Sequence, residues 1–123
     1  MNLIEAMKTR RSVRTFDGRE VSGRTLQELV ERFENCDRLC DLKLGLKILP
    51  GESVAHAMTG VIGSYGSMKN PPHYAIGLSE KGAGDQLNFG FALEQFILDC
   101  TMQGIGTYWI GGFFKLSKLN EVV

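Results

Sequence analysis

The stretch Lys8–Asp17, KTRRSVRTFD, is the one around which the rest of the chain is organised. It places Arg10, Arg11 and Arg14 on either side of a Ser-Val step. Guanidinium groups this close together repel one another unless an anion lies among them, because each is permanently charged. We therefore interpret the stretch as an anion-binding loop, to which the Ser12 hydroxyl and backbone N–H groups add neutral donors. The alternative is a solvated basic turn.

Apolar residues inside the stretch favour an anchored loop over a solvated turn. Val13 and Phe16 alternate with polar and charged residues, which predicts that the segment is attached to a core and that its arginines are held in place. A free tail would be polar throughout. The sequence therefore predicts an ordered cluster of positive charge near the start of the chain.

The composition limits the class of protein. With 123 residues, of which 43% are hydrophobic, the chain can form one domain with a modest core. Fourteen basic and fourteen acidic residues leave no net charge, which argues against a general nucleic-acid or membrane-surface binder. No apolar run is long enough and free enough of charge to span a bilayer, so we expect a soluble protein.

The cysteines indicate a reducing compartment. Cys36, Cys40 and Cys100 cannot all pair with one another, and no signal peptide precedes them, so we expect a cytoplasmic location. Cys36 and Cys40 have no second Cys or His pair at metal spacing. The sequence therefore predicts no zinc site.

Two helices and a strand are predicted in the first part of the chain. Asn2–Glu5 has the form of a capping box, which predicts a short helix that ends at the arginine stretch. Ser22 can cap a second helix. The apolar residues of that helix recur at helical spacing and predict a stripe facing the core: Leu26, Leu29, Val30 and Phe33. From Leu42 to Ile48 apolar residues alternate, which predicts a half-buried strand that ends at Pro50-Gly51.

A second strand and a long helix are predicted further on. Ser53–Met58 can form a helical turn, and Pro71-Pro72 precedes a predicted strand, His73–Leu78. Asp85 is expected to cap a helix that runs to about Gln103. That helix is apolar on nearly every side, so either the sheet wraps it or a partner covers it.

The last part of the chain predicts a helix stop, a strand and another helix. Gly104 is expected to end the long helix. Ile105–Ile110 is apolar and predicts a third strand, which Gly111-Gly112 interrupt. Lys115–Val123 predicts one more amphipathic helix.

The arginine stretch also carries a family resemblance. Arg10–Phe16 resembles the R-(R/H)-S-x-(R/K)-x-F signature near the N-terminus of the nitroreductase family of flavoenzymes. In that family the signature holds the phosphate and the pyrimidine edge of FMN. The resemblance implies that Arg10 and Ser12 meet the phosphate, that Arg11 lies nearby, and that Arg14 reaches the N1/O2 edge of the ring.

Two later blocks resemble the same family in the correct order. Pro71–Ile76 is similar to its A-P-x-x-I-V strand, and Asn88–Phe113 looks like its core helix and the G-(I/L)-x-x-x-(P/W)-x-x-G-F strand end. The chain most resembles the subgroup with a Y-G-x-x-x-x-x-P motif, here Tyr65-Gly66 and Pro72. In the family the backbone at the strand end meets the flavin N5 edge.

The resemblance assigns further cofactor-binding residues at that strand end: Trp109, Ile110, Gly111 and Gly112. The amides of the two glycines would face the isoalloxazine ring, since a bare backbone can approach a flat ring closely. Trp109 and Tyr108 could stack near the ring, or they could belong to the core.

The implied fold is α+β and nitroreductase-like, with a small, mostly antiparallel sheet around a buried central helix and flanking helices. Residues 1–123 would form a single domain that lacks the family's last strands and the basic residues that complete its phosphate site. Asn35–Asp41 does not match the family segment that reaches a neighbouring subunit's flavin. We therefore expect a fragment, a shortened member, or a site whose missing wall comes from another chain.

The implied function is that of an NAD(P)H-dependent flavoenzyme. FMN would pass hydride from a nicotinamide to nitro or quinone-type acceptors, with no catalytic acid, base or nucleophile from the protein. The expected macromolecular partner is a second copy or a second nitroreductase-like half. Two alternatives stay open: a flavin- or nucleotide-binding module without catalysis, and a structural or dimerisation domain whose arginines pair with Glu28, Glu31 or Asp17.

Overall fold

The computed structural model describes residues 1–54 and 71–110. Several predictions lie outside the described residues: the end of the Ser53–Met58 turn, Tyr65-Gly66, Gly111, Gly112 and the Lys115–Val123 helix. Within the described ranges the chain forms four helices and a two-stranded antiparallel sheet. The α+β class predicted from the sequence is confirmed.

Helix α1, Leu3–Thr9, begins at the predicted capping box. The Asn2 Oδ1 accepts a hydrogen bond from the Glu5 N–H at 2.8 Å, and the Glu5 side chain accepts one from the Asn2 N–H at 3.3 Å. Both donors would otherwise lack a partner at a helix start. The backbone becomes extended at Arg10, so the arginine stretch leaves the helix directly.

Helix α2, Gly23–Glu34, also begins where the sequence predicts it. The Ser22 Oγ accepts a hydrogen bond from the Thr25 N–H at 3.2 Å. Leu29 and Phe33 of the predicted stripe are buried, each with 1% of its surface exposed, and Leu26 and Val30 are half-buried. The helix thus packs by the face that its periodicity indicates.

The sheet consists of β1, Leu44–Pro50, and β2, His73–Ser79. The strands are antiparallel, and the pairing runs from Leu44 opposite Ser79 to Pro50 opposite His73. Strand β1 begins two residues later than the predicted Leu42 and continues to Pro50, and β2 is one residue longer than predicted. A short helix, α3, Gly51–Val54, follows β1 directly.

The long helix α4, Asp85–Met102, has a different start from the one predicted. Gly84, with φ +77°, occupies the cap position, and Asp85 is the first helical residue. The Asp85 carboxylate accepts hydrogen bonds from the Gln86 N–H at 2.7 Å and the Gly82 N–H at 3.3 Å. The carboxylate therefore acts inside the first turn, where its charge is favourable at the positive end of the helix.

The end of α4 confirms the predicted stop at Gly104. Gly104 has φ +75°, and its N–H donates to the Thr101 carbonyl oxygen at 3.0 Å. The next N–H, of Ile105, donates to the Cys100 carbonyl oxygen at 2.9 Å. This pair of bonds is a Schellman motif, which requires the left-handed conformation that glycine adopts without a steric penalty.

Helix α4 is the centre of the core. Its buried residues Ala92, Phe96 and Cys100 form one cluster with Leu29 and Phe33 of α2. Three strand residues pack on this cluster: Leu44, Leu46 and Ile48. Helices α1 and α2, together with the sheet, cover most of α4.

Two apolar residues of α4 are not covered in this way. The exposed fraction is 72% for Leu87 and 41% for Phe91. Burial of α4 on nearly every side therefore holds for its middle and its C-terminal half, and the N-terminal turns present apolar surface to solvent.

The predicted third strand, Ile105–Ile110, is wrong. The segment makes one isolated parallel bridge, between Thr107 and Ser12, and no ladder. A short apolar run does not by itself distinguish a buried strand from an irregular segment. Here Gly106 and Trp109 are exposed, so the burial that would favour a strand is lacking.

Candidate functional site

The arginine stretch lies directly against the segment that follows α4. The Val13 N–H donates to the Thr107 carbonyl oxygen at 2.9 Å, and Ser12 pairs with Thr107 in the parallel bridge. These two segments lie at opposite ends of the sequence. The fold thus brings the first and the last of the resembling blocks together.

The close approach of the two segments depends on Gly106. A Cβ atom at this position would lie 2.9–3.0 Å from three side-chain carbon atoms of Val13. Such distances are well inside normal van der Waals contact. Residue 106 must therefore lack a side chain if the arginine stretch is to pack as it does.

A second contact fixes the chain beyond the arginine stretch. The Nε2 atom of His73, at the start of β2, accepts a hydrogen bond from the Val21 N–H at 3.0 Å. The segment between α1 and α2 is thus attached at Thr107 and again at His73.

Arg10 has buried nitrogen atoms without partners. The residue is half-buried, and within the described ranges its Nε and Nη2 atoms are buried and have no hydrogen-bond acceptor. A buried charged donor without a partner costs more than the roughly 1–3 kcal/mol of a neutral one. Because a guanidinium cannot shed its proton, an anion is the simplest acceptor for these two atoms.

The acids that could neutralise the arginines have other partners. Asp17 accepts hydrogen bonds from the Arg19 N–H at 2.9 Å and from the Arg19 Nε at 2.7 Å. These bonds, the backbone one first, hold the pKa of the Asp17 carboxyl below its usual value.

Two of the three glutamates of α2, Glu28 and Glu31, are engaged in the same way. Glu28 pairs with Arg24 at 3.3 Å, and Glu31 accepts a hydrogen bond from Gln27 at 3.3 Å. The alternative in which the arginine stretch pairs with Asp17, Glu28 or Glu31 is therefore wrong for the part of the chain that the structure describes.

Arg14 lies on an aromatic ring. Its guanidinium carbon is 4.9 Å from the centre of the Tyr108 ring, which is a cation–π contact. Arg14 is exposed and Tyr108 is half-buried. One face of the guanidinium therefore rests on the ring, and the other face of the guanidinium remains accessible to solvent. The sequence suggested that Tyr108 stacks on the flavin ring or packs in the core. Its contact with Arg14 is a third role, which neither suggestion included.

The other predicted site residues are at or near the surface. Arg11 and Ser12 are exposed, and Ile110 is half-buried. Trp109 exposes 41% of its surface, so its assignment to the core is wrong. The site as described joins Arg10–Arg14 to Gly106–Ile110.

Asn88 was not predicted as a structural residue. It is fully buried, and its Oδ1 accepts hydrogen bonds from the Leu39 N–H at 2.8 Å and the Cys40 N–H at 3.3 Å. Asn88 precedes Ala92 and Phe96 at four-residue spacing, so the periodicity of α4 already places it on the buried face. A polar side chain on such a face indicates a buried hydrogen bond.

The described residues also bear on metal binding and membrane insertion. In residues 1–54 and 71–110, no group of three or more His, Cys, Asp or Glu side chains could hold a metal ion. None of the helices described is long and apolar enough to cross a membrane.

Comparison with protein-family models gives a match over nearly the whole chain. The family described as "Putative TM nitroreductase" matches residues 2–122. Neither the curated proteins nor the solved structures gave a match.

Proposed function

The chain belongs to the nitroreductase family, and from this premise we propose that it is an FMN-dependent oxidoreductase that passes hydride from NADH or NADPH to nitro or quinone-type acceptors. Membership of the family supports an oxidoreductase. The identity of the cofactor, the hydride donor and the acceptors are part of the proposal. The arrangement of the arginine stretch supports the choice of FMN.

The observation that carries the proposal is the pair of buried nitrogen atoms of Arg10 that have no acceptor among residues 1–54 and 71–110. The planar fork of a guanidinium matches two oxygen atoms of a phosphate. The phosphate of FMN would accept from Arg10, and the exposed Ser12 hydroxyl would add a neutral donor. Arg11, which is also exposed, would contribute positive charge nearby.

Arg14 is proposed to act on the ring end of the cofactor. A bound flavin supplies the two-electron chemistry. Arg14 would lie at the N1/O2 edge, where a cation stabilises the negative charge that accumulates on reduction. Its contact with Tyr108 at 4.9 Å restricts the guanidinium before any cofactor binds, so less conformational freedom is lost on binding.

Trp109 and Ile110 are proposed to line the ring. The exposed apolar surface of Trp109 would exclude water from one side of the cofactor. Gly111 and Gly112 follow directly and would present their backbone amides to the N5 edge. No proton transfer from a protein side chain is needed, so we propose no catalytic acid or base.

We further propose that the protein acts as a homodimer. Three apolar residues of α1 are about half exposed or more, Leu3, Ile4 and Met7. Helix α1 packs on α4, which adds the exposed Leu87 and Phe91. Apolar residues clustered on neighbouring helices are typical of surfaces that are covered by a partner.

The test is an absorbance spectrum of the purified protein with and without added FMN, followed by anaerobic addition of NADH or NADPH. We expect FMN to bind and the bound flavin to bleach. Arg10→Gln is expected to weaken FMN binding by about a hundredfold, given the roughly 1.5–3 kcal/mol of a charged hydrogen bond. Arg24→Gln is the matched control, because Arg24 pairs with Glu28 on α2.

The outcomes separate the alternatives. A protein that binds FMN but is reduced by neither nicotinamide would be a flavin-binding module without catalysis. A protein that takes up no FMN, or for which Arg10→Gln and Arg24→Gln bind FMN equally well, would contradict the proposed site.

A further inference from the structure

The loop between α2 and β1 contains two of the three cysteines, and both line the same cavity. Cys36 and Cys40 line a shallow cavity of about 510 Å³ that is open to solvent. Both are free and half-buried. Four charged residues share the cavity wall, Glu34, Arg38, Asp41 and Lys43. Two are acids and two are bases, so their formal charges cancel.

The fold fixes both ends of this loop. The Cys36 N–H donates to the Phe33 carbonyl oxygen at 3.3 Å, and Cys36 packs against the core cluster. At the other end, the buried Asn88 of α4 accepts from the Cys40 N–H at 3.3 Å. The backbone positions of the two cysteines are therefore set by their contacts with α2 and α4.

Two further contacts hold the middle of the loop. The Gln95 Nε2 donates to the Asp37 carbonyl oxygen at 2.9 Å. Arg38 lies over the Phe33 ring, 5.0 Å from its centre, and its Nη2 donates to the Phe33 carbonyl oxygen at 2.7 Å. A loop held at this many points loses little further freedom when its ends are joined by a covalent bond.

Cys100 differs from the other two. It is buried in α4 with 3% of its surface exposed. Burial, with the neighbouring Asp99 carboxylate as a smaller cause, raises the pKa of its thiol to about 12. A thiol that stays protonated and inaccessible does not take part in exchange.

We propose that Cys36 and Cys40 are a redox-active dithiol, a modification site that a low-molecular-weight disulfide converts into an intramolecular disulfide. The thiolate of one cysteine attacks a sulfur atom of the small disulfide, which breaks its S–S bond and releases one thiol. The second cysteine then attacks the mixed disulfide, forms the bond between Cys36 and Cys40, and releases the second small thiol. Two electrons pass to the small disulfide, and the two protons leave on the released thiols.

The experiment uses the full chain with Cys100→Ala, so that only one intramolecular disulfide can form. The protein is equilibrated in mixtures of reduced and oxidised glutathione, quenched with acid, and weighed as an intact chain. The disulfide appears as a loss of about two mass units, for two hydrogen atoms. The ratio of oxidised to reduced protein gives the effective concentration of the thiol pair, and the same measurement in urea gives that concentration for the unfolded chain.

We expect the effective concentration of the thiol pair to be at least about tenfold higher in the folded chain than in urea, since the fold holds both cysteines in one short loop beside one cavity. Gln95→Ala removes one tie of the loop and is expected to lower the folded value towards the unfolded one. A folded value equal to or below the value in urea would overturn the proposal. So would mapping of the disulfide to Cys100 in the wild-type chain.

Two single variants check the assignment. Cys36→Ser and Cys40→Ser should each form only the mixed disulfide with glutathione, with no loss of two hydrogen atoms. Loss of two hydrogen atoms in either variant would mean that Cys100 is the true partner. None of these measurements depends on the flavin chemistry, so their failure would leave the proposed oxidoreductase function untouched.

Discussion

At the scale of single residues, the site depends on side chains whose neighbours are unusual. Arg10 buries two nitrogen atoms that lack acceptors in the described ranges, Arg14 is supported by Tyr108, and Gly106 leaves room for Val13. Each of these is a local departure from ordinary packing. Such departures are expected where a structure is arranged to bind a ligand.

Arg14→Ala is expected to weaken FMN binding by about ten- to a hundredfold or to lower the reduction potential of the bound flavin. The variant removes the only charge that we place at the N1/O2 edge, and a charged hydrogen bond contributes about 1.5–3 kcal/mol. Titration of FMN by fluorescence quenching and a redox titration measure the two quantities.

Tyr108 offers matched controls for this prediction. Tyr108→Phe keeps the ring under Arg14 and should bind FMN like the wild type, whereas Tyr108→Leu removes the cation–π contact and should give an intermediate loss. Unchanged affinity together with unchanged potential in Arg14→Ala would contradict the role of Arg14.

Gly106→Ala is expected to lower the free energy of unfolding by about 1–3 kcal/mol, which is the usual cost of an additional methyl group in a packed contact. The new Cβ would lie 2.9–3.0 Å from Val13 carbon atoms. Urea denaturation measures the effect.

Gly90→Ala is the control for Gly106→Ala. A Cβ at Gly90 meets nothing within 4 Å, and alanine favours a helix by about 1 kcal/mol over glycine, so this variant should be stabilised. The pair Val13→Ala and Gly106→Ala should together cost less than the sum of the single changes, because a smaller residue 13 relieves the crowding. Strict additivity would argue against the close approach.

At the scale of secondary-structure elements, α4 is the element that organises the others. It packs on α1, α2 and β2, and it holds the loop after α2 through Asn88 and Gln95. Its C-terminal Schellman motif leads the chain to the arginine stretch. One helix thus supports both the proposed flavin site and the proposed dithiol loop.

The packing of α2 on α4 predicts a pH dependence of stability. Burial raises the pKa of Asp99, and Arg32, whose Nη1 is 3.8 Å from the Asp99 Oδ1, offsets this only in part. Between 3.8 and the raised pKa the folded state binds more protons than the unfolded state. The contribution of Asp99 to stability therefore decreases as pH rises through this window.

Asp99→Asn removes this titration. Relative to the wild type, the variant should become more stable as the pH rises from about 4 to 7, which urea denaturation at a series of pH values measures. Relative to the wild type, Arg32→Gln should become less stable as the pH rises over the same range, because its Asp99 carboxylate has lost the nearby cation. A difference between Asp99→Asn and the wild type that does not change with pH would contradict the prediction.

At the scale of the whole molecule, the distribution of apolar surface is uneven. The core cluster between α2 and α4 is buried, whereas α1 and the first turns of α4 expose large apolar side chains. A folded chain of this length buries only a limited share of its surface. Association of two copies would cover this exposed area.

Leu87→Asp is expected to weaken the proposed homodimer at least about tenfold, because a carboxylate in an apolar interface loses its water without gaining a partner. Sedimentation or light scattering over a range of concentrations measures the dissociation. Leu39→Asp is the control, since Leu39 is also about half exposed but lies in the loop after α2. A wild-type chain that is monomeric at micromolar concentrations would contradict the dimer.

The sequence by itself determined the parts of the fold that depend on near neighbours. The caps at Asn2, Ser22 and Gly104 act over three to five residues, and the core stripe of α2 follows from helical spacing. The signature at Arg10–Phe16, with the later blocks, was sufficient to indicate the family to which the chain belongs.

Only the tertiary structure decided how distant segments meet. The contact of Val13 with Thr107, the support of Arg14 by Tyr108, and the hold of Asn88 on the loop after α2 join residues far apart in the chain. The apolar run at Ile105–Ile110 forms a single bridge instead of a strand for the same reason. Local propensity is weak compared with packing, so the arrangement of these segments is set by which surfaces bury one another.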